Sequence, residues 1–452
     1  MKSILVATWG NPWIPGWSSV EYVYGNNSIK SRSSLPLLLN SLSPDLTLIV
    51  VLDTVANKRF NSYNDLLRNV EYRYREFLKS LMDEARSDLA CNVSFIVAPG
   101  VGRFKFDDYY FRFSGSLSDF YAYTLYALLK YFLCNEELTV YLDLTHGINF
   151  MPTLTYRCIR EMLNALALTT SVELKVFNSD PYVRNVTDKM EIHLVEDRVV
   201  SPLLAFQPMK IGGVHRLLSQ FEQNDGIIEV IKRFSLNDHE VEELNVFLNS
   251  VLNGFPLALY RWYPDLKALK EKIDEAFNTW LNEVCIKHVG NEYVIERKVK
   301  FTEDFTTCTI IWFIASLLNL SRKHEVSFNE LNELCKRLFS KFKRLEIAIS
   351  HDLCHEIPSR ISKKIKEGEG IFNKWIRLNE VIEGGGFDNR NFIFHSGFER
   401  NTVEIRIDSD SEFQNRLNSM DDETIKKEIK PHLRFRYAED NLRKVIKTCR
   451  RL

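Results

Sequence analysis

Over the first two hundred residues, short apolar runs alternate with longer stretches in which apolar residues recur every three to four positions. The apolar runs predict buried strands at Ser3–Thr8, Leu46–Leu52, Asn92–Val97, Thr139–Leu142 and Val172–Phe177. The amphipathic stretches predict helices at Tyr63–Ala90, Leu117–Phe132 and Phe150–Ala167. Strands that alternate with helices in this way form a parallel sheet with helices on both faces. We therefore expect an α/β domain over residues 1–205.

The pattern changes near residues 196–216, where two prolines and a pair of glycines interrupt it. Beyond this point the spacing predicts helices at His215–Phe234, Asp238–Leu252 and Asp265–Val284. Residues 291–301 alternate apolar and polar side chains and predict an extended segment, half of a hairpin. We expect a mostly helical domain over residues 206–302. It fits a winged-helix module, a spacer or an oligomer surface, and the sequence does not choose among them.

The last third of the chain again has helical spacing. Helices are predicted at Cys308–Leu320, Phe328–Phe342 and Ile371–Ile382, and the charged tail Glu423–Arg451 is predicted to be helical as well. We therefore expect a mainly α-helical carboxyl-terminal domain over residues 303–452.

Composition and charge narrow the possible classes of protein. The chain has 452 residues, which is enough for several domains, and 59 basic and 60 acidic residues give a net charge of -1. Basic residues concentrate near the carboxyl end, where they form a solvated helix face or a phosphate-binding patch. They are Lys363, Lys364, Lys366, Arg434, Arg436, Arg443, Lys444, Lys447, Arg450 and Arg451. The eight cysteines include no Cys-x-x-Cys pair, and no apolar run is long enough to span a bilayer. We therefore expect reduced thiols, no membrane contact and a cytoplasmic location.

A polar turn follows the predicted strand Thr139–Leu142 and reads Asp143-Leu144-Thr145-His146-Gly147-Ile148-Asn149. It lies between a strand and a helix, and open α/β sheets bind ligands at the carboxyl ends of their strands. The turn contains neither the lysine of a P-loop nor a Gly-x-Gly-x-x-Gly motif. Two interpretations remain open: a ligand site, or a tight turn in which Asp143 and Asn149 satisfy backbone amides.

Two other loops are expected at the same edge of the sheet. One contains Gly10 and Asn11 between Trp9 and Trp13, and the other contains Ser114, Gly115 and Ser116 before a predicted helix. The amino end of a helix can bind an anion, and tryptophan rings can stack on bases.

A second polar segment, Gly384-Gly385-Gly386-Phe387-Asp388-Asn389-Arg390-Asn391-Phe392-Ile393-Phe394-His395, predicts a short helix after a glycine run. Asn391 and His395 are four residues apart and share one face of that helix. Arg390 lies near its positive end, where a phosphate is favoured. An imidazole, a guanidinium and an amide around one phosphate suffice for RNA cleavage without a metal ion.

One group of residues has the spacing of metal ligands. His351, Cys354 and His355 are three and four positions apart, as on one side of a helix. No second pair of ligands accompanies them, so we expect neither a metal site nor another cofactor.

Together the two polar segments resemble the Csx family of ancillary ribonucleases of type III CRISPR systems, in which a CARF sensor domain precedes a HEPN nuclease domain. The shared features are Asp-x-Thr-His-Gly-x-Asn in an amino-terminal α/β domain and Arg-Asn-x-x-x-His in a carboxyl-terminal helical domain. The resemblance implies a Rossmann-like CARF domain at residues 1–205 and a HEPN domain at residues 303–452.

The resemblance also implies functional residues. The nuclease residues are Arg390, Asn391 and His395. The sensor residues are Gly10, Asn11, Ser114, Gly115, Ser116, Asp143, Thr145, His146, Gly147 and Asn149. The ligand is a cyclic oligoadenylate that activates cleavage of single-stranded RNA by a homodimer or a larger assembly of dimers. A ligand on a two-fold axis matches best if it has that symmetry, as cyclic tetra- and hexa-adenylate do. We expect the tetramer, on the basis of the resemblance.

Two alternatives remain on the sequence alone. A sensor domain joined to a winged-helix segment is typical of a ligand-controlled DNA-binding regulator. For this role, residues 215–300 would have to present a basic recognition helix. The segment contains the bases Arg216, Lys232, Arg233 and Arg261 but also many acids, such as Glu240, Glu242, Glu243 and Asp265. This balance of charges disfavours DNA binding. The sensor could also cleave its own activator through His146 or Ser116.

Overall fold

The computed structural model describes residues 2–14, 16–85, 92–106, 109–134, 136–203, 207–210, 212–221 and 225–450. The chain divides into two compact units. Unit 1 consists of Met1–Ala205, Arg216–Ser235 and Lys270–Phe313, and unit 2 of Phe206–His215, Leu236–Leu269 and Ile314–Leu452. Residues 206–302, predicted to form a domain of their own, are thus shared between the two units.

The amino-terminal part of unit 1 contains ten strands and four helices within the described residues. The strands are β1 (Lys2–Trp9), β2 (Val20–Tyr24), β3 (Asn27–Ser31), β4 (Leu46–Leu52), β5 (Val93–Ala98), β6 (Gly102–Phe106), β7 (Tyr109–Ser114), β8 (Leu138–His146), β9 (Val172–Ser179) and β10 (Lys189–Val199). The helices are α1 (Leu35–Leu42), α2 (Tyr63–Ala85), α3 (Leu117–Phe132) and α4 (Phe150–Leu166).

The largest sheet has the strand order β3-β2-β10-β9-β8-β1-β4-β5. Its neighbours from β9 to β5 are parallel, which confirms the predicted α/β fold, whereas β10 runs antiparallel to β9. Strand β4 is buried at all seven positions, as expected for a strand covered on both faces. Strand β1 lies between β4 and β8, so the segments that follow β1 and β8 leave the sheet side by side.

The next part of the chain contributes to both units. Its elements are β11 (His215–Arg216), β12 (Leu218–Gln220), α5 (Asp225–Lys232), β13 (Ser235–Leu236), α6 (Asp238–Asn253), α7 (Pro256–Arg261), α8 (Leu266–Asn282), β14 (Val284–Val289), β15 (Glu292–Arg297), β16 (Val299–Phe301) and α9 (Glu303–Leu318). The predicted hairpin is confirmed, because β14 and β15 are antiparallel partners. Strand β15 also pairs in parallel with β7, so a second sheet has the order β14-β15-β7-β6.

Unit 2 continues with short helices and a small antiparallel sheet. Its remaining elements are β17 (Val326–Ser327), α10 (Phe328–Leu338), α11 (Lys343–His351), α12 (Ile357–Lys366), β18 (Ile376–Arg377), α13 (Leu378–Val381), α14 (Asn389–Phe394), β19 (Val403–Ile407), α15 (Ser411–Asn418), α16 (Asp422–Ile429), β20 (Leu433–Tyr437) and α17 (Leu442–Cys449). The sheet order is β17-β20-β19-β18.

Three predicted helices are wrong in part. The segment His215–Phe234 contains β11 and β12 before α5, because Leu218 to Gln220 pair with β16. The segment Ile371–Ile382 contains only the four-residue α13, and its residues Ile376 and Arg377 pair with β19. The tail Glu423–Arg451 is interrupted by β20. The end of the predicted helix Tyr63–Ala90, beyond Ala85, lies outside the described residues, as does Arg451.

No helix in the described parts of the chain has the length and apolar character needed to cross a lipid bilayer.

Candidate functional site

The polar segment after β8 lies directly beside the loop that follows β1. Strand β8 continues to His146, so Asp143 and Thr145 belong to the strand and the chain turns at Gly147. Gly10 donates its backbone N–H to the carbonyl oxygen of His146 at 2.8 Å. Two of the three loops predicted at this edge of the sheet are therefore in contact.

The imidazole of His146 is held in one tautomer. Its Nε2 accepts the backbone N–H of Ser34 at 3.1 Å and lies 3.2 Å from the hydroxyl of Tyr22. A backbone N–H can only donate, so Nε2 is the acceptor and the proton of the neutral ring is on Nδ1. The ring stacks on Trp17 with centroids 4.2 Å apart. Burial lowers the pKa of His146 to about 3, so the ring is uncharged at neutral pH.

Asp143 fixes this segment from inside the protein. The side chain is 1% exposed, and burial raises the pKa of its carboxyl group. One carboxylate oxygen accepts the Ser34 hydroxyl at 2.7 Å, and the other accepts the backbone N–H of Thr145 at 3.0 Å. Ser34 therefore connects Asp143 to His146, a link that no local sequence pattern indicated.

The two glycines at this edge are required by packing. A Cβ on Gly147 would lie 2.5 Å from both Pro152 Cγ and Thr8 Oγ1. A Cβ on Gly10 would lie 2.6 Å from Ile148 Cγ2. At both positions the absence of a side chain allows the protein to approach itself closely.

The other predicted sensor residues have different surroundings. Asn149 is exposed and has a positive φ of 51° at the start of α4. Asn11 caps its own loop, because its Oδ1 accepts the backbone N–H of Trp13 at 2.9 Å and of Ile14 at 3.2 Å. Ser116 caps α3 by accepting the backbone N–H of Ser118.

Ser114 is the last residue of β7 and Gly115 follows it, and β7 belongs to the second sheet rather than to the parallel one. Both residues contact the segment that carries Arg297. The Ser114 hydroxyl donates to the Ile295 carbonyl oxygen at 3.4 Å, and Arg297 Nη1 lies 3.5 Å from the Ser114 carbonyl oxygen. A Cβ on Gly115 would lie 3.0 Å from Arg297 Cδ. Arg297 in turn forms a buried ion pair with Asp53 at the end of β4. No contact in the described residues joins Ser114 or Gly115 to the segment that contains His146.

The second candidate site is built on α14, and its helix begins as the sequence predicted. Asp388 is the capping residue, and its Oδ1 accepts the backbone N–H of Arg390 at 2.9 Å. Asn391 and His395 both line a cavity of about 150 Å³. The residues around this cavity are Asp352, Glu356, Ile357, Ile382, Asn391, His395, Phe398, Glu399 and Arg400. Arg390 does not line it and is exposed.

Asp352 orients the imidazole of His395. The distance between His395 Nδ1 and Asp352 Oδ1 is 3.2 Å, and the Asp352 side chain is 6% exposed. The carboxylate can only accept, so Nδ1 donates and Nε2 of the neutral ring keeps a free lone pair. The hydrogen bond to Asp352 raises the pKa of His395. This arrangement, a base held by a carboxylate, is the one used by many proton-transferring histidines.

Asp352 and Arg400 are the site residues that sequence reasoning missed. Asp352 begins a π-helical turn, Asp352–Glu356, between α11 and α12, and such turns are frequent at functional sites. Arg400 donates to the carbonyl oxygens of Glu383 at 2.8 Å and Gly385 at 3.3 Å, and so holds the glycine run in place. A Cβ on Gly384 would overlap the Arg400 guanidinium in this arrangement, and the φ of 156° at Gly384 is one that other residues rarely adopt.

The three residues with the spacing of metal ligands lie in the same region, at the end of α11 and in the π-helical turn. Within the described residues no three histidine, cysteine, aspartate or glutamate side chains are grouped as a metal site would require, and this includes His351, Cys354 and His355.

Comparisons with known proteins match both ends of the chain. A family model described as the CARF domain of CRISPR system endoribonuclease Csx1 matches residues 4–181, and one described as its HEPN domain matches residues 345–417. The CRISPR system endoribonuclease Csx1 of Methanocaldococcus jannaschii is 30% identical over 427 residues, which cover 90% of this chain and 87% of the relative. The matched ranges contain the segment around His146 and the segment around His395, respectively.

Proposed function

Because the chain belongs to the Csx1 family of CRISPR system endoribonucleases, we propose that it cleaves single-stranded RNA without a metal ion when cyclic tetra-adenylate binds its CARF domain. The observation that carries the catalytic part of this proposal is the pairing of His395 with Asp352 in a cavity that also contains Asn391. Type III CRISPR defence is the setting that the family resemblance implies.

The proposed reaction uses the nucleophile that RNA carries itself, the 2′-hydroxyl. His395 Nε2 removes its proton, the 2′ oxygen forms a bond to the adjacent phosphorus, and the bond from phosphorus to the 5′ oxygen breaks. The leaving oxygen takes up a proton, which gives a 2′,3′-cyclic phosphate and a 5′-hydroxyl. Such acid–base assistance contributes about two to four orders of magnitude in rate. Asn391 holds the phosphate, and Arg390 stabilises the charge on its oxygens.

A homodimer is part of the proposal, because the surroundings of α14 suit a second protomer. Arg390 is exposed and does not line the His395 cavity of its own chain. Phe394, next to His395, is 77% exposed, and Ile393 is 39% exposed. Large apolar side chains exposed beside a polar site are typical of a protein interface. A two-fold axis here would bring two His395 residues and two Arg390 residues into one composite site.

The activator is proposed to bind at the edge of the parallel sheet, at the ends of β1 and β8. Thr145, His146, Gly147 and Asn149 offer neutral donors and acceptors there, and the low pKa of His146 keeps its ring uncharged. We assign Gly10, Asn11 and Asp143 to the same site. Ser114, Gly115 and Ser116, which lie at the second sheet and at the start of α3, are left out of this assignment. A cyclic tetra-adenylate has the two-fold symmetry that a dimeric sensor requires.

The test is cleavage of a fluorescent single-stranded RNA in EDTA, with and without cyclic tetra-adenylate. We expect slow cleavage without the ring, strong stimulation by the ring, and products that end in a cyclic phosphate. His395→Ala should abolish cleavage and keep ring binding. Thr145→Ala should weaken ring binding and leave ring-independent cleavage unchanged. The matched control is His355→Ala, an exposed histidine near Asp352 that does not line the cavity.

Each outcome decides one part of the proposal. Cleavage that needs a divalent ion would refute the metal-free mechanism, and substantial cleavage by His395→Ala would refute the catalytic assignment. Activation by another ring size would correct the ligand only. Loss of ring binding and of ring-independent cleavage together in Thr145→Ala would refute the division between sensor and nuclease residues.

A further inference from the structure

Helix α17 of unit 2 has one strongly basic side. Its buried residues are Val445, Thr448 and Cys449, which pack against the protein. Its exposed residues include four cations, Arg443, Lys444, Lys447 and Arg450 at the helix end. With 3.6 residues per turn, Arg443, Lys447 and Arg450 fall on one side of the helix, and Lys444 lies on the adjacent side. We call these four residues the α17 basic face.

The α17 basic face is anchored beside the segment that carries the nuclease residues. The hydroxyl of Thr448 donates to Oδ1 of Asn389 at 2.7 Å. Asn389 is the first residue of α14 and directly precedes Arg390. One turn earlier on α17, the Lys444 ammonium lies 5.7 Å from the ring of Phe387. Thr448 and Lys444 therefore hold α17 beside the end of α14 at which Arg390 is exposed.

A groove runs along the side of α17 that carries Arg443, Lys447 and Arg450. Its volume is about 560 Å³, and it is lined by Glu242, Arg443, Ile446, Lys447 and Arg450. The one acid of this lining, Glu242, accepts Arg450 Nη1 at 3.1 Å, which leaves Arg443 and Lys447 as an excess of positive charge. These two residues are separated by four positions, or about 6 Å along the helix axis. An excess of cations in a groove favours a polyanion.

We infer that the α17 basic face binds the phosphates of the single-stranded RNA and leads the strand to Arg390 and His395. The inference rests on the proposed function, since it concerns the path of the substrate to the same site. It also gives a role to Arg390, which is exposed and does not line the His395 cavity of its own chain. A helix face that is only solvated would require neither the groove nor the hydrogen bond from Thr448 to Asn389 of α14. The alternative is that the α17 basic face binds an acidic protein partner, and the experiment must distinguish such a partner from RNA.

The experiment measures RNA binding separately from cleavage. A 2′-O-methyl RNA lacks the nucleophile and cannot be cut, so its dissociation constant can be measured for the full chain over a range of salt concentrations. We expect the double variant Arg443→Gln/Lys447→Gln to bind this RNA roughly twofold to thirtyfold more weakly, as for the loss of two exposed ion pairs. The slope of log K against log salt should fall by about 1.4, since each phosphate contact to a single strand contributes about 0.7.

The control is Lys336→Gln/Lys427→Gln, which removes two exposed cations from α10 and α16 of the same unit. It should leave both the affinity and the salt slope unchanged. With cleavable RNA, the α17 double variant should raise KM by a similar factor and leave kcat within twofold.

The outcomes separate this inference from the proposed function. An unchanged salt slope, or equal losses in the α17 variant and the control, would overturn the inference even if the protein cleaves RNA. Failure of the parent protein to bind the 2′-O-methyl RNA would overturn it as well. Binding that depends on α17 without any cleavage would support the inference and refute the nuclease mechanism. Loss of binding to a polyglutamate peptide with unchanged RNA binding would assign the surface to a protein partner.

Discussion

Replacing Arg297 by methionine should destabilise unit 1 by about 3–5 kcal/mol, the usual cost of leaving one member of a buried ion pair without its partner. The Arg297 and Asp53 side chains are 1% and 0% exposed. Asp53 also accepts the Tyr63 hydroxyl at 2.8 Å and the Gly100 backbone N–H at 2.8 Å, so its position is fixed. Methionine preserves most of the volume of the arginine stem but removes the only charge that compensates the carboxylate within the described residues.

Urea denaturation is the suitable assay, because urea is uncharged and does not screen the pair. With a slope of about 3 kcal/mol per molar, the midpoint should fall by about 1–2 M. The matched control is Arg103→Met, whose ion pair with Glu292 at 2.8 Å is on the surface of the second sheet, with Arg103 59% exposed. That variant should lose less than about 1 kcal/mol. Asp53→Asn combined with Arg297→Met should recover much of the loss, because no uncompensated charge remains.

The dependence on pH provides the sharper test. Burial raises the pKa of Asp53, and the charge of Arg297 opposes this effect, so the pKa should rise further in Arg297→Met. A carboxyl group whose pKa is higher in the folded state stabilises that state at low pH and loses this contribution as pH rises through the folded pKa. The loss in free energy of unfolding caused by Arg297→Met should therefore become smaller as pH is lowered from about 8 to about 5. A loss below 1 kcal/mol, or one that does not change with pH, would refute this reasoning.

Two further predictions concern the candidate sites. Asp352→Asn should lower the pKa of His395, because the hydrogen bond to the carboxylate is the main cause of its rise, so the acidic limb of the pH profile of kcat/KM should move to lower pH. An unmoved limb would show that His395 does not titrate in the reaction. Gly147→Ala should lower the free energy of unfolding by about 1–3 kcal/mol through the clash with Thr8 and Pro152, and an unchanged Tm would contradict this.

The elements that the sequence predicted well are those whose spacing is uninterrupted and whose partners are nearby. Helix α3 has the predicted limits Leu117–Phe132, and β4 has the predicted limits Leu46–Leu52. Strand β20, by contrast, was assigned to a helical tail. Its sequence Leu-Arg-Phe-Arg-Tyr has the period of two that its alternating burial requires. The alternation covers only five residues, however, and the helical spacing of the stretches on either side dominates the pattern.

The sequence predicted only those parts of the candidate sites whose residues are close together along the chain. Asn391 and His395 were placed together because they are four residues apart on one helix. Asp352 is 43 residues from His395 along the chain, and Ser34 is 109 residues from Asp143, so these hydrogen bonds depend on the tertiary fold. The same holds for the ion pair of Asp53 and Arg297, whose members are 244 residues apart. A single sequence contains no periodicity that relates such positions.

The two histidines singled out by the sequence differ in the chemistry that their surroundings allow. His146 accepts a backbone N–H at Nε2, stacks on Trp17 and has its pKa lowered to about 3, so a proton at Nε2 would cost both desolvation and a hydrogen bond. His395 donates through Nδ1 to a buried carboxylate, which stabilises the protonated ring and leaves Nε2 free. The first environment suits recognition by a neutral, fixed ring, and the second suits proton transfer. The same contrast disfavours activator cleavage by His146, because its acceptor nitrogen is already occupied and cannot serve as a base without breaking the contact with Ser34.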